Sequence, residues 1–568
     1  MIVFRKWHRI KQKIFLLFPI SLLIVAFGQP DSNIFLAFLS SAVGLACFWI
    51  ALFSLSSKKK QFVVSTLWFG FVQAIQLGWL ATPEYQGPLI MLVYGGLILL
   101  LGLQFGIFTL FFPKHFPCRY STLLYLSALW TLLEWSRLFF LCGFVWNPIG
   151  LALSAWVLPA QFISLSGIFG LSFWVILVNL CAINAYSSFK NKDFVFKRSV
   201  IFFLFFLVPY VFGAIHLSYH TLQRSKQTKL LNVALVQTAL LPDQKMPFLD
   251  RKHRFIHPFD QWKLILTDLT KASLEKTHLI VLPEAALPFG AHSFIYPFDQ
   301  VQTALEKEWG YPLSFDLPDL LDAHLVKAIQ IDGRSQLFAS NLFWAQALAD
   351  HYQSDVILGL DDADRDNHSY YNAAFHLVPG KIKTCRYEKR ILLPLAEYLP
   401  FSFLKPLATC YGIQGFFSHG KQAKVFHGIC PLAISICYEE CFSHLMREAR
   451  LKGAKLLVNV TNDAWYPFSR LPKQHFVHGR LRALENGAPL LRSCNTGVTA
   501  AVDSLGHVID RFGGERNFQM QRGVLMTSLN LYSYQTLYTW VGNCLVIGLS
   551  CFFVIWGGMI RGGVRELL

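Results

Sequence analysis

Three side chains that can take part in acyl transfer stand at the ends of predicted strands in the second half of the chain. Cys437 closes a β-branched run in the stretch ISICYEECF, Glu284 follows VLP, and Lys389 follows YE. A carboxylate can take the proton of a thiol that attacks a carbonyl, and an ammonium can hold the charge that develops on the carbonyl oxygen. Singly, a strand cysteine is more often core filling, and the two charged residues are more often solvated. Together they form a complete set for acyl transfer through a thioester.

The region from about residue 230 contains short apolar runs bounded by turn residues, a pattern typical of strands. Helical stretches lie between them, at 259–276 and 474–485. This order predicts a layered α/β sandwich. The segment 291–350 is rich in prolines and aromatic residues, and we interpret it as a large, irregular loop insertion. The predicted strands are 231–237, 278–282, 355–360, 371–378, 431–437, 456–460, 490–492, 498–502 and 524–529.

The composition indicates a membrane protein with a soluble part. Of the 568 residues, 54% are hydrophobic and only 15% are charged, whereas soluble proteins carry about 25% charged residues. The net charge of +17 comes from Lys and Arg beside hydrophobic segments, which indicates membrane topology and not a nucleic-acid partner. The 12 cysteines contain no CxxC pair, so neither a disulfide scaffold nor a zinc module is expected. We predict no metal and no cofactor.

Eight apolar runs are candidates for crossing a bilayer, which takes roughly 20 residues each. Basic residues fill alternate loops, and the positive-inside rule therefore places the N-terminus in the cytoplasm. The predicted domains are a membrane domain at 1–217, a soluble domain at 218–536 on the opposite side, and a last span with a cytoplasmic tail at 537–568. The predicted spans are 14–27, 34–55, 62–80, 89–112, 123–141, 162–186, 200–217 and 537–556.

Several motifs resemble those of a known family. VLPE ending at Glu284, YEK ending at Lys389 and CYE starting at Cys437 resemble the three catalytic motifs of the nitrilase, or carbon–nitrogen hydrolase, superfamily. YEKRILLPLAEYLP at 387–400 narrows the resemblance to the bacterial apolipoprotein N-acyltransferase family. The same family is indicated by NDAW at 462–465, QHF at 474–476, RLRALE at 480–485 and NTGVT at 495–499.

The resemblance implies a polytopic α-helical membrane domain of about eight transmembrane helices and a nitrilase-like αββα sandwich. It implies a multi-pass protein of the bacterial inner membrane with its catalytic domain in the periplasm. The expected reaction moves a fatty acyl chain from a phospholipid, with phosphatidylethanolamine as the expected donor, to a diacylglyceryl-modified lipoprotein. The acceptor is the α-amino group of the N-terminal cysteine. No nucleic acid is involved, and we expect a monomer.

The resemblance also implies roles for individual residues. Cys437 is expected to carry the acyl group as a thioester, Glu284 to be the general base, and Lys389 to stabilise the oxyanion. Glu397 is expected to orient Lys389. Three further residues are expected to shape the pocket or bind substrate: Tyr438, Glu439 and Trp465.

Two other functions are compatible with the residues. A membrane-tethered amidase would use the same triad with water as acceptor, although a tether needs only one span. A transporter or assembly protein that has lost catalysis would carry charged residues along a path through several helices. The candidates for such a path are Glu134 and Arg137, which stand three residues apart and can meet on one helix face.

Overall fold

A computed structural model gives the structure of the chain. It describes residues 15–227, 229–248, 250–272, 274, 276–312, 324–364, 368–381, 385–406, 415–513 and 519–565. The chain divides into two compact units, one of Met1–Leu222 with Gln535–Leu568 and the other of Gln223–Tyr534. Residues 1–14, which include the basic residues Arg5, Lys6, Arg9, Lys11 and Lys13, lie outside the described part of the chain.

The first unit is helical. Its long helices are rich in Leu, Ile and Phe, and many of these side chains are exposed, as expected of helices that face lipid. Its helices up to residue 225 are α1 (Leu17–Ala26), α2 (Ile34–Leu52, with a π-helical stretch at Ser40–Gly44), α3 (Lys58–Gln76), α4 (Pro83–Gln86), α5 (Ile90–Leu110), α6 (Tyr120–Ser136), α7 (Val157–Ala160), α8 (Ile163–Asn191) and α9 (Val195–Ser225).

Four helices of the described residues, α2, α5, α8 and α9, are long and apolar enough to cross a membrane. Two shorter apolar helices, α1 and Cys544–Ile560, fall below that length. Three lysines open α3, and α6 has only 17 residues. An apolar helical region is therefore confirmed, whereas the predicted count of eight spans is not.

Glu134 and Arg137 have different partners within the first unit. The Glu134 carboxylate accepts a hydrogen bond from the Ile149 backbone N–H at 2.8 Å. Arg137 Nε donates to Gln104 Oε1 at 2.8 Å, and its guanidinium lies 5.5 Å from the centre of the Trp130 ring. These contacts join separate helices and loops, so both side chains brace the helical unit.

The second unit contains two six-stranded sheets and one small sheet. The first sheet has the order β15-β1-β2-β6-β7-β8, the second β14-β13-β12-β11-β10-β9, and the small one β3-β5-β4. The strands are β1 (Leu230–Gln237), β2 (Leu279–Val281), β3 (Tyr296–Pro297), β4 (Val326–Ile331), β5 (Arg334–Ala339), β6 (Asp355–Asp364), β7 (Ser369–Leu377), β8 (Cys385–Glu388), β9 (Phe426–His427), β10 (Pro431–Ile436), β11 (Leu456–Thr461), β12 (Leu490–Cys494), β13 (Ala500–Val502), β14 (Val508–Arg511) and β15 (Gly523–Asn530).

Parallel strands form the centre of both large sheets, β1-β2-β6 in the first and β10-β11-β12 in the second. Such strands are buried on both faces and read as continuous apolar runs. Leu235 and Ile357 of the first sheet and Ile436 of the second belong to one buried cluster. Ser493 Oγ also donates to backbone carbonyls of β1 and β2. The two sheets therefore pack face to face.

Helices cover the outer faces of this sandwich. On the first sheet, Trp262 and Leu266 of α11 are buried with Trp344 of α13, and α14 and α15 pack on β10 and β12 of the second. The predicted layered α/β fold is confirmed. The helices of this unit are α10 (Pro242–Lys245), α11 (Pro258–Lys271), α12 (Phe298–Trp309), α13 (Asn341–Tyr352), α14 (Ser443–Leu451) and α15 (Leu471–Asn486); α16 (Leu537–Val541) and α17 (Cys544–Arg565) return to the first unit.

The expectation that 291–350 is irregular was wrong for the residues that the structure describes, whereas its being an insertion stays a prediction. The segment contains α12, the hairpin β4–β5 and most of α13. Trp344 and Leu348 of α13 are fully buried, so this helix belongs to the core of the sandwich. Almost every residue of α13 is buried, and its sequence therefore lacks the amphipathic period that identifies a surface helix. Residues 313–323 lie outside the described part.

Candidate active site

Cys437 lies where β10 ends and a short 3₁₀ turn, Cys437–Cys441, begins. Its φ is +51°, a left-handed conformation that costs a residue with a Cβ about 1–2 kcal/mol. The Cys437 carbonyl accepts a hydrogen bond from Asn459 Nδ2 at 3.3 Å and lies 3.3 Å from His475 Nε2. These contacts hold a strained corner that turns the thiol out of the strand, and strain of this kind is common at functional sites.

Glu284 follows β2 and is only 6% exposed. Its Oε1 accepts a hydrogen bond from Asn372 Nδ2 of β7 at 2.8 Å. Strand β6 passes directly beneath this turn at Gly359, where an added Cβ would lie 2.6 Å from the Pro283 carbonyl and 2.7 Å from the Glu284 Cα. Only glycine allows the backbone to approach so closely. The Glu284 backbone therefore packs directly on strand β6.

Lys389 follows β8, and its side chain is almost fully buried. Its Nζ donates to Glu284 Oε1 at 3.2 Å and to Glu397 Oε1 at 2.8 Å. The Lys389 backbone N–H donates to the Asn372 carbonyl at 2.8 Å, and Gly420 leaves room for the preceding Glu388 backbone. Sequence motifs about a hundred residues apart thus meet in one ion pair.

Glu397 completes this arrangement from the loop after β8. Its Oε1 also accepts from Asn372 Nδ2 at 3.0 Å, and its Oε2 accepts from the Leu393 N–H at 2.8 Å. The carboxylate therefore binds Lys389 and closes its own loop. We call the four residues Glu284, Asn372, Lys389 and Glu397 the base cluster.

Electrostatics within the site hold the thiol neutral and the ammonium charged. Burial raises the pKa of the Cys437 thiol well above its ordinary value; Glu284 raises it further, whereas Lys389 lowers it. Burial acts to lower the pKa of Lys389, but the Glu284 and Glu397 carboxylates raise it well above its ordinary value. A neutral thiol beside a carboxylate needs that carboxylate to take its proton when it attacks.

A second group of buried charges lies behind the Cys437 corner. Arg492 Nε donates to Glu440 Oε1 at 2.8 Å, and Arg492 Nη2 lies 3.3 Å from Asp463 Oδ2. His475 lies between the same two acids, with Nε2 3.1 Å from Glu440 and Nδ1 2.8 Å from Asp463. We call these four residues the anchor network. Through His475, which lies 3.3 Å from the Cys437 carbonyl, it braces the backbone at this corner.

Glu439 is fully buried and binds backbone groups of two segments. Its carboxylate accepts hydrogen bonds from the N–H groups of Ile436 at 2.8 Å, Arg390 at 2.6 Å and Ile391 at 3.2 Å, and from the Tyr387 hydroxyl at 3.0 Å. Glu439 therefore ties the lysine loop to the strand before Cys437.

Tyr438 and Trp465, the other two predicted pocket residues, belong to neither the base cluster nor the anchor network. Tyr438 is buried and packs edge-on against Phe442, with ring centres 5.0 Å apart. Trp465 ends the short 3₁₀ turn Asp463–Trp465 and is partly buried. Contact of either residue with substrate stays a prediction. Among the described residues, no group of three or more His, Cys, Asp or Glu side chains is arranged to hold a metal ion.

Sequence reasoning missed Asn372 and the anchor network as parts of the site. Asn372 stands inside a strand, and nothing in its local sequence shows that its amide bridges two glutamates. Asp463 and His475 lie in stretches that match family motifs, which was a usable signal. Arg492 is a buried arginine within a predicted strand, and a charge at such a position needs a partner.

The chain matches two family models. Residues 232–537 match the carbon-nitrogen hydrolase family, and residues 21–181 match the apolipoprotein N-acyltransferase N-terminal domain. A crystal structure of a carbon-nitrogen hydrolase from Helicobacter pylori G27 aligns with 53% of this chain and 89% of its own, at 16% identity and a TM-score of 0.33.

Curated relatives match along almost the whole chain. A protein of Chlamydia pneumoniae named apolipoprotein N-acyltransferase is 32% identical over 565 residues, covering 96% of this chain and 97% of the relative. The protein of that name from Rickettsia prowazekii is 29% identical and covers 78% of this chain and 77% of its own. The similarity therefore includes both the helical and the sandwich unit.

Proposed function

The chain belongs to the apolipoprotein N-acyltransferase family, whose sandwich unit is that of the carbon–nitrogen hydrolases, and we propose that it moves a fatty acyl chain from a phospholipid to a lipoprotein. The acyl group travels as a thioester on Cys437. The acceptor is the α-amino group of an N-terminal diacylglyceryl-cysteine. The observation that carries the proposal is the ion pair of Glu284 with Lys389, whose charges both act on the Cys437 thiol.

In the first half-reaction, the Cys437 sulfur attacks the ester carbonyl carbon of the phospholipid. Glu284 takes the thiol proton as the S–C bond forms, and the carbonyl oxygen becomes an oxyanion that the Lys389 ammonium stabilises. Collapse of the intermediate breaks the ester C–O bond. Glu284 returns the proton to the departing alcohol, which leaves as a lysophospholipid, and the acyl-enzyme remains.

In the second half-reaction, the neutral α-amine attacks the thioester carbonyl. Lys389 again stabilises the oxyanion, and Glu284 takes a proton from the attacking nitrogen. Breaking of the C–S bond forms the amide and releases the thiolate, which regains the proton. The enzyme returns to its starting state without a cofactor, and the two substrates follow each other in a ping-pong order.

The membrane part of the proposal follows from the sequence and the family. Both substrates carry lipid chains, so an enzyme with membrane helices meets them by lateral diffusion. We place the protein in the bacterial inner membrane as a monomer, with the sandwich unit in the periplasm and both termini in the cytoplasm. Phosphatidylethanolamine is the proposed donor.

The test uses the full chain in vesicles of isotope-labelled phosphatidylethanolamine without acceptor. Peptide mass spectrometry is expected to find a labelled fatty acyl group on Cys437 that hydroxylamine releases, and an added diacylated lipopeptide should then receive it. Cys437→Ala should give neither product. Cys385→Ser is the matched control, because Cys385 is an exposed cysteine.

The alternative functions give different results. An amidase would hydrolyse small amides and would leave no long acyl chain on Cys437. A non-catalytic transporter or assembly protein would retain its function in cells as Cys437→Ala. Either result would overturn the acyltransferase proposal.

A further inference from the structure

Lys245 is a buried lysine beside the proposed base that the mechanism above does not use. It ends the short helix α10, and its side chain is only 5% exposed. Lysine is almost never fully buried unless it is paired. Its Nζ donates a hydrogen bond to the carbonyl of Ala285 at 2.6 Å, and Ala285 is the residue that directly follows Glu284.

The backbone at Ala285 is strained. Ala285 has a φ of +43°, which an alanine adopts only when its surroundings impose it. The flanking N–H groups of Leu282 and Ala286 donate to carbonyls of β6 at 2.8 and 2.9 Å. These two bonds clamp one side of the turn, and Lys245 clamps the other. The direction in which Glu284 leaves the turn depends on both.

Lys245 also contributes a positive charge near Glu284. The residue interacts electrostatically with Glu284 and with Asp361 of β6. Lys389 interacts with three carboxylates, those of Glu284, Glu397 and Asp361. Lys245 adds a second positive charge to this group of acids. An ammonium near a carboxylate favours its ionised form, which is the form that accepts the thiol proton.

We propose that Lys245 is a positioning residue for the acylation step, which fixes the Ala285 carbonyl and places a positive charge near Glu284, the proposed base. The inference rests on the proposed role of Glu284. Lys245 touches neither the thiol nor the carbonyl of the substrate in this scheme; it acts through the residue beside it.

The surrounding groups define the pH range in which this effect is visible. Burial lowers the pKa of Lys245 to about 7, although Glu284 and Asp361 act to raise it. Burial raises the pKa of Asp361 to about 6, against the hydrogen bond that it accepts from Tyr370. On the lysine's own element, Asp243 is paired with Arg254 at 2.7 Å. Lys245 therefore carries its charge in the acidic range, where a carboxylate base becomes protonated and inactive.

The test follows the action of the proposed base on the Cys437 thiol without any lipid substrate. The full chain is alkylated with iodoacetamide over a range of pH, and the rate at Cys437 is followed by peptide mass spectrometry. In the wild type, the rate should fall on the acid side as the base is protonated. In Lys245→Met this fall should move to higher pH by about 1 unit. Lys245→Arg retains a charge and a donor and should restore the wild-type profile.

Two further variants separate charge from folding. Lys245→Gln retains an N–H donor without the charge and should shift the profile in the same direction as Lys245→Met, so it replaces that variant if it fails to fold. Lys252→Met is the matched control, because Lys252 is exposed on the segment that follows, and it should match the wild type. An unshifted profile in folded Lys245→Met or Lys245→Gln would overturn the inference.

Glu284→Gln separates this inference from the proposed function. If the acid fall of the Cys437 rate disappears in Glu284→Gln, the carboxylate is the base, and an unshifted Lys245 variant then counts against Lys245 alone. If Glu284→Gln retains the acid fall, the assignment of the base is wrong, and the Lys245 inference falls with it.

Discussion

The base cluster and the anchor network are both buried groups of charges, yet they are built differently. The base cluster belongs to the first sheet and its loops, and its Glu284 and Glu397 share the same donors, Lys389 and Asn372. The anchor network belongs to the second sheet and α15, and there Arg492 and His475 each lie between the same two acids. The first group acts on the thiol through Glu284 and Lys389; the second acts on it through Asp463 and also contacts the Cys437 backbone through His475.

The difference separates chemistry from support. In the proposed mechanism, removal of a charge from the base cluster takes away a group that moves a proton or stabilises an oxyanion, and its main effect should be on rate. Removal of a charge from the anchor network leaves a buried partner without compensation, and its main effect should be on folding. The two regions can be compared by measuring both quantities for each variant.

The largest effect is expected for Glu284→Gln. The amide retains the size of the side chain but cannot accept the thiol proton, so acyl-enzyme formation should slow by about 100-fold to 10,000-fold. The measurement is the rate of labelled acyl transfer to Cys437 in vesicles. The melting temperature in detergent should change little. A variant that unfolds in proportion to its loss of rate would place Glu284 with the supporting residues.

Arg492→Met should mainly destabilise the sandwich unit. Glu440 and Asp463 would stay buried without their cation, at a cost of about 3–5 kcal/mol in the free energy of unfolding. Chemical denaturation of the full chain in detergent measures this loss. The activity per folded molecule should stay close to that of the wild type. A stable but inactive variant would show that the anchor network does more than hold the backbone.

Acid should weaken the anchor network through Asp463. Burial acts to raise the pKa of Asp463, but His475 and Arg492 bring it below the ordinary value. A group with a lowered pKa stabilises the fold above its unfolded value of about 4, and the contribution is lost as the pH falls through the lower, folded value. The wild type should therefore lose more stability below about pH 4 than Asp463→Asn. Equal losses in the two proteins would contradict this account.

The smallest effect is expected for Glu448→Gln. Glu448 forms an ion pair with Arg390 at 2.9 Å, and its side chain is 38% exposed, a setting in which a pair contributes about 0–1 kcal/mol. Rate and melting temperature should both stay near the wild type. Glu448→Gln thus serves as the matched control for Glu284→Gln, and a large loss of rate would mean that Arg390 positions the neighbouring Lys389.

The strands that carry the candidate reacting groups could be predicted from the sequence because most of their residues are apolar. Central parallel strands are buried on both faces, so β1, β6, β10 and β11 appear as mostly apolar runs with few polar residues inside them. Parallel strands end at the same edge of a sheet, so the groups that follow them were expected to share one cleft. Cys437 and Glu284 follow parallel strands, β10 and β2, whereas Lys389 and Glu397 follow the antiparallel edge strand β8 and were singled out through the family motifs.

The remaining parts depend on contacts that no local pattern records. Asn372 reaches two glutamates only because β7 pairs with β6 in one register, and Lys245 reaches Ala285 across 40 residues of chain. The same limit hid α13 within 291–350, since a helix buried on nearly all sides has no period to detect. Side chains with a supporting role are defined by the packed structure more than by their own neighbours in sequence.

Lys389 is paired with two carboxylates, those of Glu284 and Glu397, and this has a consequence for the proposed catalytic cycle. In the proposed mechanism, Glu284 ceases to be an anion when it accepts a proton, and a lysine paired with it alone would be free to move as the oxyanion forms. Glu397 has its own contact with Lys389 Nζ at 2.8 Å, and Asn372 contacts both carboxylates. We therefore expect the positive centre to stay in place while the proton is in transit.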